Sequence, residues 1–229
     1  MQSNEVQQIL IQNAWFASLP KSLADKLFEK GKLKFLHTQQ ILHQKNDLAD
    51  GFYCVVSGRI RVSNFTVKGK EMVLTWVQPG NWFGEISLID GQPRTHDAHA
   101  EDTTTLLKVP KLAFKQLFKE HQEWSTFIMR LLCQRVRATL SLIDETGCLS
   151  LKGQLCKRLS LMHQELQEQQ HTKTMELTIS QDALARLIHS SRQTVNKILQ
   201  SLQDERIIDL RYGKIIILDR KSLEKQGQV

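Results

Sequence analysis

The chain has 229 residues, 41% of them hydrophobic, and a formal net charge of +7. That length allows one large domain or two modest ones, and nothing in the composition looks disordered. No apolar run approaches the ~20 residues that cross a bilayer, and the start, MQSNEVQQIL, lacks the marks of a signal peptide. A cytoplasmic protein with no membrane partner is therefore expected, and its positive charge suggests a polyanionic one.

From Ile9 to Lys30 the apolar spacing is helical, with a break at Leu19-Pro20 and a new helix from Lys21. From Lys34 to Val109 short β-branched or aromatic runs take over: FYCVV (52–56), RIRV (59–62) and MVLTWV (72–77). Turn signals separate them at Asp50-Gly51, Ser57-Gly58, Lys68-Gly69 and Pro79-Gly80. Short strands at this spacing predict an antiparallel barrel or jelly roll, with a second strand group from His96 to Val109.

After Pro110 the period becomes helical. From His121 to Glu145 a broad stripe runs through Trp124, Phe127, Ile128, Leu131, Leu132, Val136, Leu140 and Ile143. It is wider than one small barrel needs. The shared edge, Ile128, Leu132, Val136, Leu140 and Ile143, predicts a dimer helix. Gly147 to Ser150 is expected to end it as a hinge. An amphipathic helix (Leu151 to Glu168), a polar loop at 168–174 and a strand at 175–179 follow.

The stretch Phe83 to Thr95, FGEISLIDGQPRT, combines groups that a cyclic nucleotide asks for. Gly84 permits close backbone approach, and the amides opening the turn at Glu85 and Ile86 can point at a phosphate. Arg94 offers a fork to two phosphate oxygens. Glu85 can accept from a ribose hydroxyl, and Thr95 adds a small donor. A plain glycine-marked turn explains the Gly84-Glu85 pair alone, but not this whole set.

From Ser180 two short helices are predicted, the first burying Leu184, Leu187 and Ile188, with His189-Ser190-Ser191 as the turn. The second buries Val195, Ile198, Leu199 and Leu202. That leaves Arg192, Gln193, Asn196 and Lys197 on an exposed face near its start, where a helix-turn-helix protein places base-reading side chains. Arg suits guanine and Gln the adenine edge, while Ser191 and Thr194 can hold phosphates. The hairpin at 207–218 has a basic turn, with Arg211 and Lys214 fit to meet a sugar–phosphate backbone as a wing. Double-stranded DNA is the expected partner.

Chemistry of other kinds finds little support. Cys54, Cys133, Cys148 and Cys156 form no CxxC pair, and Cys133 and Cys156 read as small core residues. His96 and His99, three apart in a predicted strand, face opposite sides, so no metal is expected. Ser18 to Lys21 matches S-x-x-K, but the other elements of that enzyme class are absent, and no catalytic residue is assigned.

FGEISLIDGQPRT and SRQTVNKILQSLQDERII together resemble the Crp/Fnr family, bacterial transcription regulators related to the cyclic-AMP receptor protein. The resemblance spans nearly the whole chain. It implies an α+β homodimer with an N-terminal antiparallel, jelly-roll-like β-roll (1–120), a dimerisation helix and hinge (121–149) and a winged helix-turn-helix (150–229). It implies a cyclic nucleotide effector, cyclic AMP first and cyclic GMP second, held by Gly84, Glu85, Arg94 and Thr95; the alternatives are a family member that binds DNA with a different effector or with none, and a cyclic-nucleotide sensor that acts through a protein partner. Bases are then read by Arg192, Gln193 and Lys197, with RNA polymerase as a further partner. Three positions depart from the family pattern. The Thr-Ser pair that meets the adenine falls on either Leu142-Ile143 or Thr139-Leu140. Gln193 stands where a glutamate is usual, and His189 where the turn usually has glycine.

Overall fold

The computed structural model describes residues 3–67, 69, 71–170, 176–211 and 213–228. The chain divides into two compact units, residues 1–136 and 137–229. The first opens with α1 (Ser3–Ile11), α2 (Ala14–Ala17) and α3 (Lys21–Lys30). Sequence spacing anticipates the break at Pro20 but not the one at Asn13. There the Asn13 side chain accepts from the Phe16 amide and caps a separate short helix.

Two four-stranded antiparallel sheets follow. Their strands are β1 (Lys32–Leu36), β2 (Ile41–His43), β3 (Gly51–Ser57), β4 (Ile60–Phe65), β5 (Glu71–Val77), β6 (Trp82–Phe83), β7 (Asp97–Ala100) and β8 (Thr104–Pro110). One sheet has the order β1-β8-β3-β6, the other β2-β7-β4-β5. β3 is buried on both faces, and its alternation shows why it is apolar throughout. Tyr53 and Val55 join a core with Ile60, Ala98 and Leu106 from between the sheets. Phe52, Cys54 and Val56 face the opposite core, made with the helices. Aromatic rings fill that second core: Trp82 stacks on Phe52 at 4.8 Å and on Phe16 at 5.5 Å. The predicted turn at Asp50-Gly51 is instead the start of β3. A Cβ on Gly51 would lie 3.0 Å from the Val109 carbonyl oxygen on the neighbouring strand, a tight approach that favours the glycine.

α4 (Ile86–Ile89) sits within the FGEISLIDGQPRT stretch, and α5 (Lys111–Glu120) follows β8. The long helix α6 (Trp124–Cys148) therefore begins three residues later than its sequence pattern, after the break at 121–123. Trp124, Phe127, Ile128 and Leu131 are buried in the helix-side core, and the Trp15 indole donates to the Phe127 carbonyl at 2.7 Å. Two of the five expected dimer-edge residues are thus committed inward: Ile128 is buried, and Leu132 is half-buried against the same core. The exposed large apolar residues of α6, among the described ones, are Met129, Val136, Leu140 and Ile143. Cys133, expected in a core, is also exposed, because the face it shares with Met129 and Val136 turns away from the roll. The helix ends at Cys148, within the 147–150 stretch expected to end it.

The second unit contains α7 (Leu151–Gln170), β9 (Glu176–Thr178), α8 (Gln181–Leu187), α9 (Arg192–Asp204), β10 (Ile208–Arg211), β11 (Lys214–Ile217) and α10 (Arg220–Gln226). The helix α7 continues through 168–170, where a loop is predicted, and residues 171–175 of the predicted loop and strand lie outside the described residues. Its sheet has the order β10-β11-β9, all antiparallel. Leu155 and Leu159 of α7, Leu184 of α8, Val195 and Leu199 of α9 and Ile215 of β11 share one core. The α+β architecture with antiparallel sheets, a long helix and a helix-turn-helix is the one expected.

Candidate functional site

In the first unit the Phe83 to Thr95 stretch wraps around two buried charges. Glu85 is 2% exposed and Arg94 3% exposed. Gly84 holds φ +92°, and a Cβ there would lie 2.8 Å from an Arg94 terminal nitrogen. The positive φ is what favours glycine here. Directly after it, α4 begins, so the amides of Glu85, Ile86 and Ser87 have no intrahelical acceptor. Thr95 is exposed, with its hydroxyl 2.9 Å from Nδ1 of His96.

The Arg94 fork is already engaged. One terminal nitrogen donates to the Gly84 carbonyl at 2.8 Å, the other to the Gly51 carbonyl at 2.9 Å and to Asp50 Oδ1 at 3.3 Å. A buried guanidinium needs such partners. Those bonds leave Nε buried with no partner among the described residues. Asp50 is the hub of this network and escaped sequence reasoning, because Asp-Gly reads as a turn. It also accepts from the Tyr53 hydroxyl at 2.6 Å and from Lys108 Nζ at 2.6 Å. Partial burial opposes its ionisation, but the Lys108 and Tyr53 hydrogen bonds and the Lys108 and Arg94 charges hold it well below the usual carboxylate range. Burial, then the bond to Asp50, pushes Tyr53 above the usual phenol range. His43 stacks on Tyr53 at 6.5 Å; burial and the Arg94 charge lower its pKa to about 4.

Glu85 receives a second unforeseen partner. Arg135 of α6 donates from Nε to Glu85 Oε1 at 3.4 Å and from a terminal nitrogen to the Trp82 carbonyl. A cation interrupting an otherwise apolar helix edge was the available signal. Glu85 Oε2 is buried with no partner among the described residues. The structure thus brings together Gly84, Glu85 and Arg94, adds Asp50 and Arg135, and leaves buried orphan atoms on both a carboxylate and a guanidinium. An orphan acceptor and an orphan donor fit a ligand carrying both a hydroxyl and an anion.

In the second unit α8, the turn at 188–190 and α9 form the helix-turn-helix. His189 takes φ +53°, the conformation a glycine would supply. Ser180 caps α8 by accepting from the Ala183 amide, and Ser191 caps α9 by accepting from the Thr194 amide. The Ser191 and Thr194 hydroxyls are 2.9 Å apart and hydrogen-bonded. Arg192, Gln193 and Lys197 are exposed. Asn196 departs from expectation: it is half-buried, and its side-chain oxygen accepts from Gln181 at 3.1 Å. It therefore ties α9 to α8 instead of projecting with the others. At the wing, Arg211 pairs with Asp209 at 3.2 Å and Lys214 with Glu176, all surface contacts. Tyr212 lies outside the described residues.

Residues 33–121 match the family model of the cyclic nucleotide-binding domain, and residues 153–226 that of the Crp-like helix-turn-helix domain. The chain belongs to the Crp/Fnr family. This Crp/Fnr-family chain is a DNA-binding transcription regulator under cyclic-nucleotide control. It is 26% identical over 215 residues to the CRP-like cAMP-activated global transcriptional regulator of Mycobacterium tuberculosis, covering 93% of this chain and 92% of that one. To the cAMP-activated global transcriptional regulator CRP of Haemophilus influenzae it is 26% identical over 186 residues, 81% of this chain and 82% of the relative. The structure of FixK2 from Bradyrhizobium japonicum superposes with a TM-score of 0.77 at 15% identity, over 87% of this chain and 98% of that one. At such identity the likeness is one of fold. Among the described residues no helix is long and apolar enough to cross a membrane, and no cluster of three His, Cys, Asp or Glu is placed to hold a metal.

Proposed function

We propose that the effector of this Crp/Fnr-family regulator is cyclic AMP, held by Gly84, Glu85, Ile86, Arg94 and Thr95. The carrying observation is the pair of buried orphan atoms, Glu85 Oε2 and Arg94 Nε, within one cassette. The ribose hydroxyl is assigned to Glu85. The cyclic phosphate is assigned to Arg94 and to the amides of Glu85 and Ile86. Two relatives are named for activation by cAMP, which supports it over cyclic GMP. The working form is a homodimer joined along α6. Its two recognition helices lie about 34 Å apart, one DNA turn, on a two-fold operator in the cytoplasm. Arg192 and Gln193 read bases, Lys197 reaches a guanine or a phosphate, and Ser191, Thr194, Arg211 and Lys214 meet the phosphate backbone. RNA polymerase is the partner that a regulator so placed would contact.

Calorimetric titration of the full chain with cyclic AMP and cyclic GMP tests the effector. Tighter binding of cyclic AMP is expected, and operator DNA should raise its affinity by the factor it raises DNA affinity. No heat with cyclic AMP would overturn the effector assignment; equal affinity with and without operator would remove the allosteric link.

A further inference from the structure

The recognition helix is held by two consecutive residues of α8. Asp182 Oδ2 lies 3.6 Å from a terminal nitrogen of Arg192, and Gln181 Nε2 donates to Asn196 Oδ1 at 3.1 Å. Arg192 and Asn196 are one helical turn apart, so the two contacts form parallel struts along one edge of α9. Gln181, Asp182 and Arg192 line a cleft of about 510 Å³ whose far side is the wing, with Arg211 and Lys214. A carboxylate on this rim is out of place for simple affinity, because every phosphate of a nearby duplex repels it. The Asp182 side chain is 54% exposed and that of Arg192 66%, so the pair adds little to fold stability.

We infer that Asp182 is a positioning residue for DNA specificity: its carboxylate holds the Arg192 guanidinium in the orientation that meets one base edge. An arginine has a long, rotamer-rich stem, and a bidentate guanine contact demands one plane of the fork. Fixing that plane before contact favours the matching base, while the carboxylate's charge disfavours the duplex as a whole. Asp182 thus raises the ratio of specific to non-specific binding at some cost in affinity.

The inference rests on the reading of Arg192 as a base contact, and the test keeps the two separable. The probe is the double-stranded site that the full-length protein selects from random DNA, together with single base-pair variants of that site. Arg192→Ala should abolish discrimination at one base pair, which defines the pair read by Arg192. Asp182→Ala should reduce discrimination at that same pair by about two- to fivefold, the span an exposed ion pair supports. It should also raise affinity for unrelated DNA. Asp182→Glu, which keeps the charge, should restore most of the discrimination. In an Arg192→Ala background, Asp182→Ala should change nothing at that pair.

Unchanged discrimination in Asp182→Ala overturns the proposal, as does an equal loss with Arg192 already removed. If Arg192→Ala alone leaves every base pair equally discriminated, the base-reading assignment fails first and takes this inference with it.

Discussion

The guanidinium of Arg135 on α6 stands 3.4 Å from one oxygen of the Glu85 carboxylate, whose other oxygen is buried without a partner among the described residues. Glu85 is thereby half-compensated: its charge has a cation, but its hydrogen-bonding capacity is not filled. A ligand hydroxyl would complete it. Arg135 also donates to the Trp82 carbonyl, so one side chain joins the long helix to both the cassette and the strand leading into it.

Removing Arg135 should therefore cost stability in the first unit even without effector. Arg135→Met leaves the buried Glu85 carboxylate without its cation. A fully buried pair broken in this way loses about 3–5 kcal/mol. The Arg135 side chain is 44% exposed, so solvent screening brings the expectation down to about 1–2 kcal/mol. All four tryptophans lie before residue 125, which makes tryptophan fluorescence a reporter of this unit alone. An unchanged urea midpoint by fluorescence would show that the contact carries no weight.

Arg94, proposed to meet the cyclic phosphate, also donates to two backbone carbonyls, and its variants should show both effects. Arg94→Leu is expected to weaken cyclic-nucleotide binding by about 2–5 kcal/mol, because it strands the ligand's charge. It should also lower stability, since the Gly84 and Gly51 carbonyls lose their donor. Glu85→Ala should cost binding less, about 1–3 kcal/mol for a charged hydrogen bond. Calorimetry on refolded, monodisperse variants decides this. Full affinity in Arg94→Leu would remove Arg94 from the phosphate site.

What the sequence made legible, and what it hid, divides by range. Gly84, Glu85 and Arg94 fall within eleven residues, so their chemistry reads directly. Asp50 and Arg135 join them from 35 residues before and 50 residues after Glu85, through strand pairing and helix packing that no local pattern reports. The same limit explains the dimer edge. A stripe of apolar residues shows that a helix is buried, but not which part faces its own core. Ile128 and Leu131 went inward, leaving Met129, Cys133, Val136, Leu140 and Ile143 outside. Asn196 was misplaced for a related reason: its helical position suits an exposed face, but Gln181 on α8 is there to hold it.

Acid should destabilise the first unit through His43 before its carboxylates matter. Burial and the Arg94 charge lower the His43 pKa from 6.5 to about 4 in the folded state. Above pH 6.5 it is neutral folded or unfolded and contributes no penalty. As pH falls from 6.5 to 4 the unfolded chain binds the proton first, so stability drops, by at most about 3 kcal/mol. His96, lowered by burial and Lys45, adds in the same direction. Asp50, with its depressed pKa, adds its loss only below pH ~4. Urea midpoints by tryptophan fluorescence across this range should flatten in His43→Gln between pH 6.5 and 4. An identical slope would acquit His43.

The exposed seam of α6 carries the assembly prediction. Met129, Cys133, Val136, Leu140 and Ile143 recur at alternating steps of four and three, the spacing of a two-stranded coiled coil. Val136, 57% exposed in the single chain, sits at its centre. Val136→Asp should give monomers, because it would place an uncompensated carboxylate in an apolar interface. Light scattering showing an intact dimer that still binds DNA would exclude this seam as the interface.

The recognition helix makes the last prediction, about which bases are read. Gln193 and Lys197 are exposed and one turn apart on α9. The Gln193 amide can both donate and accept, matching the adenine N6/N7 edge, whereas a glutamate there would accept from cytosine N4. Selection from random DNA should therefore return a half-site that differs from the usual family one beneath Gln193, or is less strict there. Gln193→Glu should shift that preference toward cytosine by about 1–3 kcal/mol. Lys197 is a flexible ammonium that reaches either a guanine or a phosphate. If it meets a phosphate, Lys197→Ala weakens all sequences alike and lowers the salt slope by about one. If it meets a base, the loss is confined to one position and the slope stays. A half-site with the usual family preference and strictness beneath Gln193, unchanged in Gln193→Glu, would mean that this side chain does not face the bases.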